Sequence, residues 1–435
     1  MKEKRYYPLI HFAPEFGWIN DPNGLVVHDG IYELYYQCNP QGIEWGNMTW
    51  GHARSTDLIH WEECEPVLRP DENEMMYSGC GLRNEREALH FPGDALIFYY
   101  TAAYHNWIDP SKTRFTIRLA YSLDGGNTLI KTGEPVLESL YPDNRDPKVF
   151  WHEESGAYIM VLWLHNNDFG IFRSEDMEQF TLSQRLTLPG GYECPDLFAL
   201  PVIHERTGES AEKKWVFWTA DGTYFVGSFD GYRFVSEQPG RKANSMNSLP
   251  YAAQTFSGTE EILSISWLCT KCVGLRTTGA MSLPRVLSLV RDGESYLLRQ
   301  NLPECIDRAA QNEGRLHTPG ESVSVQEDAA IRMRIRSDQD WTIQIGTEDN
   351  REQFNVTFRY QGGSFIVTYQ EVSTFILLGG RADALDFIFD RGIFEIASED
   401  GRLVAVQDIA ELRTKNWSQI MLLDGTANIA VESIR

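Results

Sequence analysis

The sequence has 435 residues, 42% of them hydrophobic, and 39 Lys and Arg against 62 Asp and Glu give a net charge of −23. That length suits two to three domains, and so acidic a surface repels polyanions, which excludes nucleic acid and anionic membranes as expected partners but not a neutral sugar. No stretch approaches the roughly 20 apolar residues of a membrane span, and the charged start Met1-Lys-Glu-Lys-Arg-Tyr-Tyr7 carries no apolar signal core, so a cytoplasmic location is expected.

Along the chain, short alternating runs dominate: Ile31 to Tyr36, Ala95 to Tyr100, Tyr158 to Trp163 and Trp215 to Trp218. They are aromatic and branched, punctuated by Gly, Asp, Asn and Pro, which predicts an all-β chain. A weak repeat accompanies them. Ser55-Thr-Asp57 is echoed by Ser122-Leu-Asp124, Ser174-Glu-Asp176 and Ser228-Phe-Asp230 at near-regular spacing. Each copy follows a strand and reads as one hairpin turn per unit, so propeller blades are predicted, with room for five in about 300 residues. The texture changes at 297–306. Beyond it, alternating strands such as Ile331 to Ile335, Trp341 to Ile345 and Ile393 to Ile396 carry no candidate catalytic constellation. The expected domains are therefore a propeller over 1–300 and a β-sandwich over 301–435.

Seven scattered cysteines suit a reducing compartment better than a disulfide scaffold. Cys269 and Cys272 form a CxxC pair without a second pair or histidines at zinc spacing, so no metal and no cofactor are expected, and the pair reads as strand residues.

Among so many acids, only context selects candidates. Trp18-Ile-Asn-Asp21-Pro-Asn-Gly24 places a carboxylate ahead of a Pro-Asn-Gly turn that would hold it at a strand end. Arg145-Asp146-Pro147-Lys148 locks a second acid between two cations that would favour its ionised form, or else forms a surface salt-bridge cluster. In Tyr192-Glu193-Cys194-Pro195-Asp196, Glu193 has aromatic and apolar neighbours, a setting that suits a general acid.

These motifs resemble glycoside hydrolase family 32, the family of invertases, levanases, inulinases and fructan exohydrolases. Tyr36 to Pro40, Trp45 to Ala53, Tyr251 to Phe256 and Met281 to Arg285 follow in the family's order, so the resemblance covers essentially the whole chain. It implies a five-bladed β-propeller followed by a β-sandwich, and a retaining β-fructofuranosidase acting on sucrose, fructo-oligosaccharides or fructans. By resemblance, Asp21 is the nucleophile, Glu193 the acid and base, and Asp146 the acid that binds fructose hydroxyls. Asn20, Gln37, Ser78 and Arg145 match polar contacts to the sugar; Trp45, Trp50, Tyr77 and Trp267 match aromatic walls, although any one tryptophan fits blade packing equally well. Tyr251 is expected beside Glu193, and Cys194 either tunes that acid or is a core thiol. Cys38, Cys80 and Leu249-Pro250 depart from the family pattern, which leaves the leaving group open. A fructosyltransferase using the same covalent intermediate and a non-catalytic sugar-binding propeller are the alternatives. Oligomeric state is not legible.

Overall fold

The computed structural model describes residues 7–205, 207–245, 248–271, 276–346, 355–370, 372–377, 382–414 and 417–435. The chain up to Asn301 folds into five four-stranded antiparallel blades arranged as a propeller. The innermost strands are Gly17–His28, Met75–Arg83, Arg145–His152, Asp196–Ile203 and Pro250–Thr255. Each blade alternates side chains between its two faces, and the fully buried runs come from strands covered on both sides by neighbouring blades. Ala157–His165, for example, reads as AYIMVLWLH with every residue buried except the last.

The Ser-x-Asp repeat is the turn between the third and fourth strands of blades one to four. The serine hydroxyl donates to the aspartate at 3.1 Å in Ser55–Asp57, 2.7 Å in Ser122–Asp124 and 2.9 Å in Ser174–Asp176. In the fourth copy Ser228 is exposed, and Asp230 alone accepts the backbone N–H groups of Tyr232 and Arg233. The aspartate is the working part, because its carboxylate replaces backbone partners that a tight turn cannot supply.

After the propeller a single helical turn, Glu304–Ala309, leads into two six-stranded antiparallel sheets packed face to face. Their inner faces interdigitate Met333, Ile343, Ile345, Phe358, Phe387 and Phe394, the apolar halves of the alternating strands. A buried polar knot ties both parts to the N-terminal segment. The backbone N–H groups of Leu9, Ile10 and His11 all donate to the Asp390 carboxylate, while His11 Nε2 lies 3.2 Å from Glu395. Glu395 also accepts the Leu283 N–H at 2.9 Å and pairs with Arg285. Cys269 follows the end of a strand and is exposed, so it is not the strand residue the sequence suggested; Cys272 lies outside the described residues.

Candidate active site

Four of the five inner strands are locally irregular where they meet the site. The pairing of Gly17–His28 with Ile31–Asn39 slips between Ile19 and Pro22 and again between Asn23 and Val26. The Asp21-Pro-Asn-Gly segment is therefore a bulge inside a 12-residue strand, not a turn at its end. Pro22 offers no ladder N–H, and a bulge turns a side chain out of the regular alternation. Gly24 has φ 56, and a Cβ there would lie 2.7 Å from the Tyr35 ring, so only glycine fits. Register shifts also fall at Tyr77/Gly79, opposite Arg145 at Val161/Trp163, and at Tyr251/Gln254. Asp146, Glu193 and Cys194 adopt left-handed backbone at φ 65, 50 and 37. Such conformations cost on the order of 1–3 kcal/mol each and persist only where surroundings enforce them. Here the Asp146 N–H donates to Thr101 Oγ1 at 3.1 Å, and the Cys194 N–H donates to Asp146 Oδ2 at 3.1 Å.

The result is one cavity of about 390 Å3 lined by Asp21, Asp146 and Glu193 together. Asp21 Oδ2 accepts the Ser78 hydroxyl at 2.5 Å and Gln37 Nε2 at 3.1 Å. Glu193 is held from two sides: Arg145 pairs with Oε1, and the Tyr251 hydroxyl donates to Oε2 at 2.8 Å. Arg145 in turn lies over the Trp163 ring, 4.2 Å from its centroid, with Nε 3.9 Å from Asp146. The groups facing the Glu193 carboxyl are thus a cation and a phenol, not the apolar neighbours that its sequence context suggested.

Burial pushes the Asp21 carboxyl above its ordinary range, opposed by the Ser78 hydrogen bond and reinforced by the nearby Glu193 charge. Burial likewise lifts Asp146 to about 7, with Arg145 opposing and the Asp21 and Glu193 charges adding. The sequence expectation that flanking cations keep Asp146 low is overturned for two reasons. Desolvation outweighs Arg145, and Lys148 points away to Asp196, 3.2 Å from its Oδ2. Burial raises the Cys194 thiol well above its usual value, so Sγ carries its proton between Asp21 at 3.6 Å and Asp146 at 3.4 Å. Asp21, Asp146 and Cys194 are also the one group among the described residues with ligand atoms mutually within 4.8 Å, the spacing a metal ion would need.

Of the other expected contacts, Asn20, Gln37, Trp45, Tyr77, Arg145, Tyr251 and Trp267 line the cavity. Ser78 is completely buried behind Asp21 and acts on it. Trp50 does not reach the cavity. It packs between Tyr35, Phe98 and Tyr100 with its indole N–H on the Tyr77 carbonyl, because its strand turns that face toward the next blade. His105, Phe115 and Asp143 also line the cavity and were not singled out from sequence. His105 accepts or donates at 2.7 Å with the Tyr77 hydroxyl and stacks on Trp107, which is 76% exposed. A lone His-Asn-Trp in a loop carries no sequence signal for such a role.

Two carboxyls on opposite supports facing one cavity, one gripped by hydroxyl and amide donors and one by Arg and Tyr, can perform paired nucleophilic and acid–base chemistry. The model of the glycosyl hydrolases family 32 N-terminal domain matches residues 11–301. The chain belongs to glycosyl hydrolase family 32. It is 37% identical over 260 residues to a levanase of Bacillus subtilis, covering 55% of this chain and 37% of that protein. It is 33% identical over 358 residues to an extracellular exo-inulinase of Aspergillus awamori, covering 69% of this chain and 65% of the relative. The matched segments thus span about a third to two thirds of these relatives' own lengths. In structure it resembles a fructofuranosidase variant from Schwanniomyces occidentalis complexed with fructosylnystose, at TM-score 0.83 and 25% identity over 98% of this chain and 97% of that one. The exo-inulinase crystal structure from Aspergillus awamori shares the five-bladed propeller and sandwich at TM-score 0.84 and 24% identity, over 99% and 98% of the two chains.

Proposed function

We propose that this family 32 protein is a retaining β-fructofuranosidase that hydrolyses terminal β-D-fructofuranosyl residues from sucrose, fructo-oligosaccharides or fructans. The observation that carries the reading is the convergence of Asp21 and Glu193 on one cavity, each with its own fixed partners.

In this reading Asp21 attacks the anomeric carbon while Glu193 passes its proton to the leaving oxygen. A fructosyl ester on Asp21 results. Glu193, now ionised beside Arg145, takes a proton from water, and the hydroxide equivalent cleaves the ester to free fructose, restoring both acids. Ser78 and Gln37 donate to Asp21, which favours its ionised form against the effect of burial and aims the carboxylate. Asp146, lifted to about 7, can donate as well as accept a hydrogen bond, which suits a pair of sugar hydroxyls. Asn20 and Arg145 supply further polar partners, and Trp18, Trp267 and Tyr251 supply apolar planes for the ring's CH face. Trp45 and Trp107, both exposed beside the cavity, sit where a longer leaving group would pass, which favours oligosaccharides over sucrose.

Product analysis on sucrose and 1-kestose tests this. Equal free fructose and glucose from sucrose, with the fructose first appearing as the β-anomer by NMR, is expected. First release of the α-anomer refutes double displacement, and a large excess of glucose identifies transfer to sugar in place of hydrolysis.

A further inference from the structure

The inner strands that carry Ser78 and Asp146 are joined behind the cavity by one hydroxyl. Thr101 lies in Leu96–Tyr104, the second strand of blade two, and is completely buried, behind the residues that line the catalytic cavity. Its neighbours Tyr99, Tyr100, Ala102 and Ala103 all pack into apolar clusters. For packing alone a β-branched residue suits this place, and valine would fill the same space. A buried hydroxyl, however, needs hydrogen-bond partners.

Thr101 finds them in backbone groups that the irregular strands leave off the ladder. The register passes from Tyr77 opposite Thr101 to Gly79 opposite Tyr100, so Ser78 is the extra residue of a bulge. The Thr101 hydroxyl donates to its carbonyl at 3.2 Å. In blade three the register passes from Arg145 opposite Trp163 to Lys148 opposite Val161, which leaves Asp146 and Pro147 out of the pairing. The Asp146 N–H donates to Thr101 Oγ1 at 3.1 Å. A hydroxyl has one proton, so here it is committed to Ser78 and a lone pair to Asp146.

From these contacts the connection runs on to the acids. The Ser78 hydroxyl donates to Asp21 at 2.5 Å, and Asp146 Oδ2 accepts the N–H of Cys194, the residue after Glu193, at 3.1 Å. We propose that Thr101 is a positioning residue: its hydroxyl sets Asp146, which grips the fructose hydroxyls, against the Ser78 donor that aims Asp21. This rests on the hydrolase reading. Without the hydroxyl, the left-handed backbone of Asp146 loses a contact that holds it, and its carboxyl moves relative to Asp21. Such misplacement weakens binding of the transition state more than binding of the substrate, because the ring charge develops only on the way to it.

Thr101→Val keeps the shape and loses the hydroxyl; Thr101→Ser keeps the hydroxyl and loses a methyl group. Per mole of folded protein, Thr101→Val should lower kcat on sucrose about ten- to a hundredfold with KM changed less than about threefold, while Thr101→Ser stays within about threefold of the parent. The Ki of a pyrrolidine iminosugar, whose ring cation mimics the transition state, does not depend on how much enzyme is active. It should rise in Thr101→Val about as far as kcat/KM falls, and stay near the parent value in Thr101→Ser. Thr101→Ala should behave like Thr101→Val and supplies the same test if valine prevents folding. An active Thr101→Val beside an impaired Thr101→Ser would show that the residue only packs, and overturns the inference. So does an iminosugar Ki that stays at the parent value in Thr101→Val. A parent protein that frees no fructose from sucrose or kestose overturns the hydrolase reading and this inference with it, whereas an active parent with an unaffected Thr101→Val overturns this inference alone.

Discussion

Ser78→Ala isolates one hydrogen bond at the centre of the site. The Ser78 hydroxyl donates to Asp21 Oδ2 at 2.5 Å, and the serine is completely buried, so no solvent water replaces it after truncation. A hydrogen bond to a charged group contributes about 1.5–3 kcal/mol. Gln37 Nε2, at 3.1 Å from the same oxygen, remains as a second donor and prevents a wholly unpaired carboxylate. The loss is therefore that of one charged bond. At 1.36 kcal/mol per decade it amounts to about ten- to a hundredfold in the equilibrium between ionised and protonated Asp21. Burial already pushes Asp21 up and this bond opposes it, so its removal moves the ionisation further upward. The acid limb of kcat/KM against pH on sucrose should shift to higher pH, and activity on that limb should fall by the same factor. Alanine is smaller and apolar, so folding should survive; circular dichroism checks it. An acid limb that stays in place, with a uniform loss at every pH, would refute the claim that Ser78 works through the charge of Asp21.

Other consequences follow from the same geometry. Tyr251→Phe removes the 2.8 Å donor to Glu193 and should lower kcat about tenfold, with the smallest effect on substrates bearing activated leaving groups; aryl fructoside kinetics read this. Trp107→Ala strips an exposed ring from beside His105 and should raise KM for kestose and longer fructans several-fold while leaving sucrose nearly unaffected. His11 is raised to about 9 by Asp390 and Glu395 despite its burial. A raised histidine stabilises fully below its unfolded value of about 6.5 and loses that contribution as pH climbs through 9. Glu395, held down to about 2 with Arg285 and His11 opposing its burial, stabilises above about 4.5 and loses that contribution as pH falls toward 2. Urea midpoints should therefore peak between about pH 4.5 and 6.5, and His11→Asn should flatten the alkaline decline.

Much of this was legible in the sequence because the signals were chemical. The Ser-x-Asp turns marked the blades, since a carboxylate must supply the partners of a tight turn, and strict alternation marked the sandwich. The acids were legible because Pro22, Pro147 and Pro195 each follow within two residues and fix the backbone around them. What escaped depends on contacts distant in the chain. Trp50 belongs to a neighbouring blade's packing, which only the placement of Phe98 and Tyr100 reveals. Asp146 looked like a stabilised carboxylate because its flanking cations were visible and its burial was not. Lys148 is the sharper lesson: two residues from Asp146 in sequence, it pairs instead with Asp196 on the next inner strand.

The central claim is that Asp21 becomes covalently bonded to fructose. Glu193→Gln protein, in which the ester forms slowly but is hydrolysed more slowly still, can be quenched in acid after incubation with an activated fructoside and digested for mass spectrometry. One fructosyl unit on the peptide carrying Asp21 is the expected result, absent when Asp21 is also changed to Asn. A fructosyl unit on any other residue, or turnover of the substrate by Asp21→Asn at the parent rate, would contradict the account.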